Sequence, residues 1–598
     1  GAAMGYTLGD ECYLDAFTRD GRFIRRPEVW AKFQHYLKAV YGSLEALNRE
    51  WQRSFRKWDE IVFAGEAELL ADFANPAPWH DFRVFLAREF RALFQELRQE
   101  IRRLSPGAAV GWDGNENFSS YDGMDYEFHA RDVEIAVLYA GSSFGAKNGP
   151  GNVIFNSALM NAFRSESALS GAFMNGIHSG SGAEFAAWTL LFQGCNSLWQ
   201  WHASRPDPEC GALDWRWRPT ARMTALTAVR REMDEGAATL LAHSRRAVSP
   251  VAIFYSGNNY HASTVESGVG NHINNMGMAR VEFWQADRLV GRTIAADDAL
   301  RRMFDHEPQG HYVAAFKNFY TLCGDLGFQP GIVSGDMAVA GGLRDSAVKL
   351  LILPFVCALS DAEAAAIREF VTAGGCVLAD YRCGVRDEHG KMRASGALDD
   401  LFGFRRRSPA AVRLVGYAEV EYAFAAGGRY DCCFGDDIEV PGGGCVLSAY
   451  DDGTPMPNSG CAVYGNRPDG APALIVNHVG KGRSIYLNFD CYSYVHDRRK
   501  HGHAHWLELF ALLFWKEAQV ADSGAPKTRW GNLIGTAACY RRQDGDNLYV
   551  GIVPDYSIRP DYEQQARLAM PPERYVYDLR RHALLGQGRS EERRVGEE

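Results

Sequence analysis

The amino-acid sequence predicts an α/β protein whose first part is the C-terminal part of a (β/α)8 barrel. Three observations point there. Short, near-continuous apolar runs alternate with long amphipathic helices from the start to about Leu241, the pattern of a parallel sheet buried on both faces. Polar and aromatic residues cluster where those runs end, which is where such barrels carry their chemistry. The same strand–helix logic then continues into a second region, and only near the C-terminus does the pattern change to alternation with period two.

"GYTLGD" is the first strand, and it delivers Asp10 and Glu11 side by side. "PEVWAKFQHYLKAVYG" is a helix opened by Pro27 and stopped by Gly42, with Val29, Phe33, Tyr36, Leu37 and Val40 on one face. "SLEALNREW" is a short helix capped by Ser43, with Ala46 where a capping box would place Glu. "PWHDFRVFLAREFRALFQELRQEIRRLSPG" is a long amphipathic helix ended by Pro106-Gly107. Strands "AAVGWDG", "VEIAVLYAG", "ALSGAFMNG" and "NSLWQWHA" follow, interleaved with helices near "NVIFNSALMNAFR" and "GAEFAAWTLLFQG", and a last helix runs near "PTARMTALTAVRREMDEGAATLLA". An open dinucleotide-binding sheet competes with the barrel, but no Gly-rich phosphate loop follows any strand. Five strand–helix units are visible and a full barrel needs eight, so three units are expected ahead of residue 1.

The barrel part is assigned to residues 1–245 and a second α/β domain to 246–525. In the latter, "KLLILPFVCALSDAEAAAIREFVTAGGCVLADY" reads strand, helix with Ser360 as N-cap, Gly-Gly, strand; "KGRSIYLNFD" is a later strand and "HAHWLELFALLFWKEA" a closing helix. Residues 405–470 are Gly-rich with short β runs and read as an insertion, and 526–588 as a small β-sandwich. The tail 589–598, "RSEERRVGEE", lacks apolar periodicity and is read as adapter-derived or disordered.

A net charge of −10 argues against nucleic acid as the main partner. No apolar stretch is long enough to span a membrane. The 13 cysteines, without a C-x-x-C pair, read as buried thiols of a cytoplasmic protein; neither a metal nor a cofactor is expected. Aromatics are 12% of the chain; composition alone favours large cores, and flat rings would also suit a sugar site.

Several stretches are similar to the retaining β-galactosidases of glycoside hydrolase family 42. "YTLGDE" resembles the strand-four segment ending in the acid/base glutamate, and "FQHYLKAVYGSLEALNREWQRSFRKWDEI" the segment that follows. "LLILPFVCALSDAEAAAIREFVTAGGCVLADYRCGVRDEHG" resembles the amidotransferase-like trimerisation domain, and "RYVYDLRRHALLG" the closing β-domain. The resemblance implies a chain starting at strand four, a homotrimer without cofactor, and a glycoside substrate. Glycoside hydrolysis needs two carboxyl groups flanking the bond. By resemblance Glu11 is the general acid/base, and Asp10 stands where the family usually has the Asn that contacts a sugar hydroxyl. The family's nucleophile is a strand-seven glutamate. Here that region offers Met174, Asn175 and His178, while Glu184 falls in the next helix, more suited to its dipole. Asp113 and Glu116, after strand five, are the other carboxylates at hand. Further substrate contacts are expected from Asn115, Tyr139 (which could orient a carboxylate), Asn175, His178, Trp201 and His202, with Trp199 in the core. "DWRWRP", Asp214 to Pro219, reads as a loop over the barrel mouth or as a packed aromatic–Arg cluster. Cys357 in the second domain lacks the glycines of a nucleophile elbow and is read as structural. A binding-only relative that has lost its nucleophile is the alternative.

Overall fold

The structure, a computed structural model, describes residues 5–10, 14, 26–63, 66–69, 72–114, 120, 123, 125–139, 151–174, 177, 179–200, 211–267, 281–285, 288–292, 311–344, 346–410, 412–422, 427–432, 434–441, 445–446, 460–500, 502–521, 523–527, 532–535, 537–555, 558, 565–568, 573–587 and 593–594.

Five strands, β1 (Gly5–Asp10), β2 (Ala109–Asp113), β3 (Ile135–Tyr139), β4 (Leu169–Phe173) and β5 (Ser197–Trp199), form one sheet in that order. Every neighbouring pair is parallel. Parallel neighbours need crossovers, and helices supply them: α1 (Pro27–Tyr41), α2 (Leu44–Trp51) and α3 (Ala77–Leu104) between β1 and β2, then α4 (Tyr126–Arg131), α5 (Gly151–Phe163), α6 (Gly180–Gln193) and, after β5, α7 (Ala221–Glu232). Strand alternation sorts the side chains into two faces. Trp112, Ala136, Leu138 and Ala172 point to the helices and join the main core. Ile135, Val137 and Phe173 point the other way and bury each other, with Tyr139, Leu169 and Trp199 packed alongside. That second face is the inner face of the barrel wall.

Local signals act as the sequence expects at several ends. Ser43 accepts the Ala46 N–H at 3.2 Å. The helix α1 core differs: Trp30 is buried with Val29, Phe33 and Leu37, whereas Val40 is 38% exposed. Trp30 stacks on Phe82 of α3 at 5.9 Å and packs against Phe63, which accounts for its burial. The last barrel helix is interrupted, with a π-turn at Met233–Ala237 where Gly236 takes φ 132° before the chain resumes helix at Ala238–His243.

The second region is built on β6 (Val251–Tyr255), β7 (Gly331–Ser334), β8 (Leu350–Leu353) and β9 (Cys376–Ala379), all parallel, in the order β7-β6-β8-β9. The sheet continues through Gly482–Leu487, parallel to β9, and then turns antiparallel through Pro472–Val479, Gly460–Asn466, Tyr417–Val420 and Gly428–Asp431. Helix α8 (Gly257–Ser267) follows β6, and α9 (His311–Asp325) precedes β7. Helix α10 (Asp361–Ala373) opens with a full capping box, Ser360 and Glu363 each bonding the other's backbone N–H. A buried charge cluster lies beyond β9. Glu266 accepts from Arg382 at 2.9 and 3.0 Å and from Arg386 at 2.5 Å, all three side chains being about 1% exposed or less.

The C-terminal part contributes a three-stranded sheet of Arg245–Arg246, Ala537–Asp544 and Asn547–Pro554 and a hairpin of Tyr575–Asp578 with Ala583–Gln587. Within the tail, read as adapter-derived or disordered, Arg593–Arg594 pairs antiparallel with Gln565–Ala566.

The loop after β9 clasps the first region. Asp81 of α3 is 1% exposed and accepts hydrogen bonds from Tyr41 (2.6 Å), Trp51 Nε1 (2.8 Å) and His389 Nδ1 (2.7 Å). Lys391 reaches Glu50 at 3.0 Å, Arg386 donates to the Phe73 carbonyl at 2.9 Å, and the Met392 N–H to the Ala74 carbonyl at 2.7 Å. Burial would lower the pKa of His389, but the charge and hydrogen bond of Asp81, with Glu50 and Asp387 behind, raise it to about 9. Burial would raise that of Asp81, and His389 outweighs it. His80 beside them is pushed down to about 4, chiefly by burial. Among the described residues no helix is long and apolar enough to cross a membrane.

Candidate active site

The carboxylates gather at the C-terminal end of the sheet because β1 is irregular. Thr7 pairs with Gly111, and regular alternation would then set Gly9 opposite Asp113. The register instead shifts between Thr7 and Asp10, so that Asp10 stands opposite Asp113. One extra residue changes which face the following side chain occupies. The bulge thus turns Asp10 onto the inner face, while Leu8 packs against the helix-side core.

Tyr139, the last residue of β3, donates its hydroxyl to Asp10 Oδ1 at 2.5 Å. Gly114 closes this corner. It has φ 67°, and a Cβ there would lie 1.9 Å from Asp10 Oδ1 and 2.9 Å from the Tyr139 ring and hydroxyl. Only glycine gives both the conformation and the space. Asp113 is half-buried, and its Oδ1 is enclosed without a hydrogen-bond partner among the described residues. Burial first, then the Asp10 charge, raises its pKa to about 6, against the opposing pull of hydrogen bonds from its own backbone and Thr7. This carboxyl therefore passes mid-titration near pH 6 and is about nine-tenths ionised at pH 7.

An aromatic row continues the site. Tyr139, Phe173 and Trp199 are register partners at the ends of β3, β4 and β5. Their rings follow one another at 5.6 and 5.7 Å. Trp199, expected in the core, is half-buried on the inner face and fixed by its indole N–H to Ser197 Oγ at 2.9 Å. Sequence reading missed Phe173 and Thr7 as parts of this corner; the alternation of Leu169, Gly171 and Phe173 was the available signal for Phe173.

Asp10, Asp113 and Tyr139 are brought together. Glu11, Asn115, Glu116, Asn175, His178, Trp201 and His202 lie outside the described residues. Met174 is buried toward the helices, so the end of β4 presents no carboxylate at that position. Glu184 serves neither chemistry nor a helix dipole alone: Arg580 of the C-terminal part bridges it, at 3.0 Å, to Glu232 at 2.6 Å. Cys357 is fully buried, its thiol facing the Asn259 side-chain oxygen at 3.2 Å, and burial pushes its pKa up. A thiol so placed is a core residue rather than a nucleophile. Among the described residues no group of three His, Cys, Asp or Glu side chains is arranged to hold a metal ion.

Two family models match the chain: β-galactosidase over residues 19–205, and the β-galactosidase trimerisation domain over residues 250–499. The first match begins beyond Glu11. The β-galactosidase LacZ of Heyndrickxia coagulans is 31% identical over 83 residues, 13% of this chain and 12% of that protein. The β-galactosidase bgaB of Geobacillus kaustophilus is 21% identical over 478 residues, 76% of this chain and 61% of that protein. The chain thus spans less than two thirds of the length of either curated relative. Among solved structures, the β-galactosidase from Bacillus circulans sp. alkalophilus superposes with a TM-score of 0.67 at 14% identity, covering 95% of this chain and 76% of that one. The β-galactosidase from Rahnella sp. R3 gives 0.65 at 16% identity, covering 98% and 78%. The fold is that of these proteins, a barrel part followed by a trimerisation domain.

Proposed function

We propose, from the premise that this chain carries both the β-galactosidase and the trimerisation-domain stretches of glycoside hydrolase family 42, that it hydrolyses terminal β-linked galactosides with Glu11 as general acid/base. The observation that carries the reading is the corner built by the bulge: two aspartates and a tyrosine at the C-terminal ends of parallel barrel strands, beside a row of aromatic rings. Glu11 follows Asp10 directly in the sequence.

In this reading Glu11 protonates the leaving oxygen and then draws the proton from the attacking water. Asp10, held by the Tyr139 hydroxyl, accepts from a sugar hydroxyl. The second carboxylate comes from the end of β2. Asp113 is favoured there by its enclosed, unpartnered oxygen, with Glu116 next in the chain. Asn115, Asn175, His178, Trp201 and His202 complete the sugar contacts, and the chain works as a homotrimer through its second region.

A panel of aryl glycosides, read on wild type and Glu11→Gln, tests this. Galactosides should turn over, and Glu11→Gln should lose rate most on poor leaving groups, by about 10²–10⁴-fold. A Glu11→Gln variant as fast as wild type on a poor leaving group would remove the assignment. A strictly monomeric protein in sedimentation would remove the trimer.

A further inference from the structure

The segment "DWRWRP" is absorbed by none of this, and its structure is specific. It folds back on itself, with Leu213 and Pro219 forming an antiparallel bridge. Asp214 pins the turn: its carboxylate accepts the backbone N–H of Arg216 (2.8 Å) and Arg218 (3.0 Å) and both arms of the Arg218 guanidinium (3.0 and 2.8 Å). Trp217 is held at φ 61°, a conformation a bulky side chain seldom adopts. The root is anchored by Arg222, 2% exposed, which donates to the Met174 carbonyl at 2.9 Å and the Gly211 carbonyl at 2.8 Å. Met174 is the residue after β4, so the turn rises from the end of the sheet that carries the candidate site.

What this rigid turn displays is two indoles, Trp215 at 66% and Trp217 at 64% exposure. The Arg216 guanidinium lies over the Trp215 ring at 4.8 Å. Flat rings of this kind match the apolar C–H face of a pyranose, and a turn fixed beforehand loses little entropy on binding. The immediate neighbours are Asp214, Arg216 and Arg218. Trp and Arg are also types enriched in subunit interfaces, so sedimentation is measured beside affinity; sugar hydroxyls hydrogen-bond to charged groups such as these.

We propose that the Trp215–Trp217 turn is a stacking platform for the sugar units of an oligosaccharide that lie beyond the bond being cut; the proposal rests on the glycosidase reading above. The test is calorimetric titration of the full chain carrying Glu11→Gln with galactose and with β-1,4-linked galactotetraose. Adding Trp215→Ala and Trp217→Ala should weaken tetraose binding about tenfold or more and leave galactose unchanged, and the double Phe variant should recover part of the loss. Equal tetraose affinity with and without the indoles overturns the platform while leaving the glycosidase reading in place. A change in sedimentation with no change in affinity overturns it in favour of a contact between copies. No binding of either sugar to the Glu11→Gln parent removes both readings.

Discussion

Replacing His389 with Gln removes the charge of the clasp while keeping a hydrogen-bond donor. The wild-type imidazole is largely buried, 22% exposed against 2% for Asp81, so solvent screens the pair only modestly. Its pKa rises from an unperturbed 6.5 to about 9 in the folded protein. A raised pKa means that the folded state holds the proton more tightly. The stabilisation is fully present below pH 6.5 and is lost as pH climbs through 9. The shift corresponds to about 3 kcal/mol. Asp81, with its pKa lowered, behaves in the opposite sense and loses its contribution only as pH falls below about 4. His80, kept neutral down to about 4, works against the fold as pH falls below 6.5, because only the unfolded chain then takes up the proton. Urea unfolding followed by tryptophan fluorescence, at steps from pH 6 to pH 10, measures the difference between wild type and His389→Gln. Trp51 donates to Asp81, so the probe sits inside the clasp. The difference should shrink by about 3 kcal/mol across that range. A difference that stays constant with pH would show that folding does not raise the pKa of His389 and would refute the reasoning.

Asp113→Asn should remove an inflection near pH 6 from the pH–rate profile of galactoside hydrolysis, since Asp113 titrates at about that pH; steady-state kinetics on an aryl galactoside checks it, and an unchanged inflection assigns it elsewhere. Gly114→Ala should abolish turnover, because its Cβ would sit 1.9 Å from Asp10 Oδ1 at φ 67°, while circular dichroism stays native. Glu266→Gln should cost roughly 3 kcal/mol in chemical unfolding, since it leaves Arg386 buried beside a neutral group while Arg382 keeps Asp436 at 3.3 Å. Ser360→Ala should cost about 1 kcal/mol through the lost capping box.

Much of the chain's architecture is legible from local pattern. Helix α10 announces itself through Ser360 and its Gly-Gly exit, and β2 to β5 through their apolar runs. What escapes is whatever depends on one residue of register or on distant partners. The bulge in β1 has no residue signature, yet it decides that Asp10 rather than Gly9 faces inward. The expectation that Tyr139 orients a carboxylate follows from its place at a strand end; that the carboxylate is Asp10 does not. Val40 fits the helical periodicity of α1, but the neighbouring ring of Phe82 decides for Trp30. Glu184 has a composition-level explanation in the helix dipole, and its true partner, Arg580, is near the other end of the chain.

The clasp also sets an order of events during synthesis. Asp81 and His389 are 308 residues apart in sequence. At about 5–20 residues per second, roughly 15–60 s of elongation separate the emergence of the carboxylate from that of its imidazole. Throughout that interval α1, α2 and α3 can pack around an aspartate whose main counter-charge has not been made. Their shared core is built from residues 29–86 with Val265, and the loop after β9 adds the ion pair and the His389 ring stacked on Tyr41. A nascent chain of this design packs its first helices early and closes their buried ion pair late.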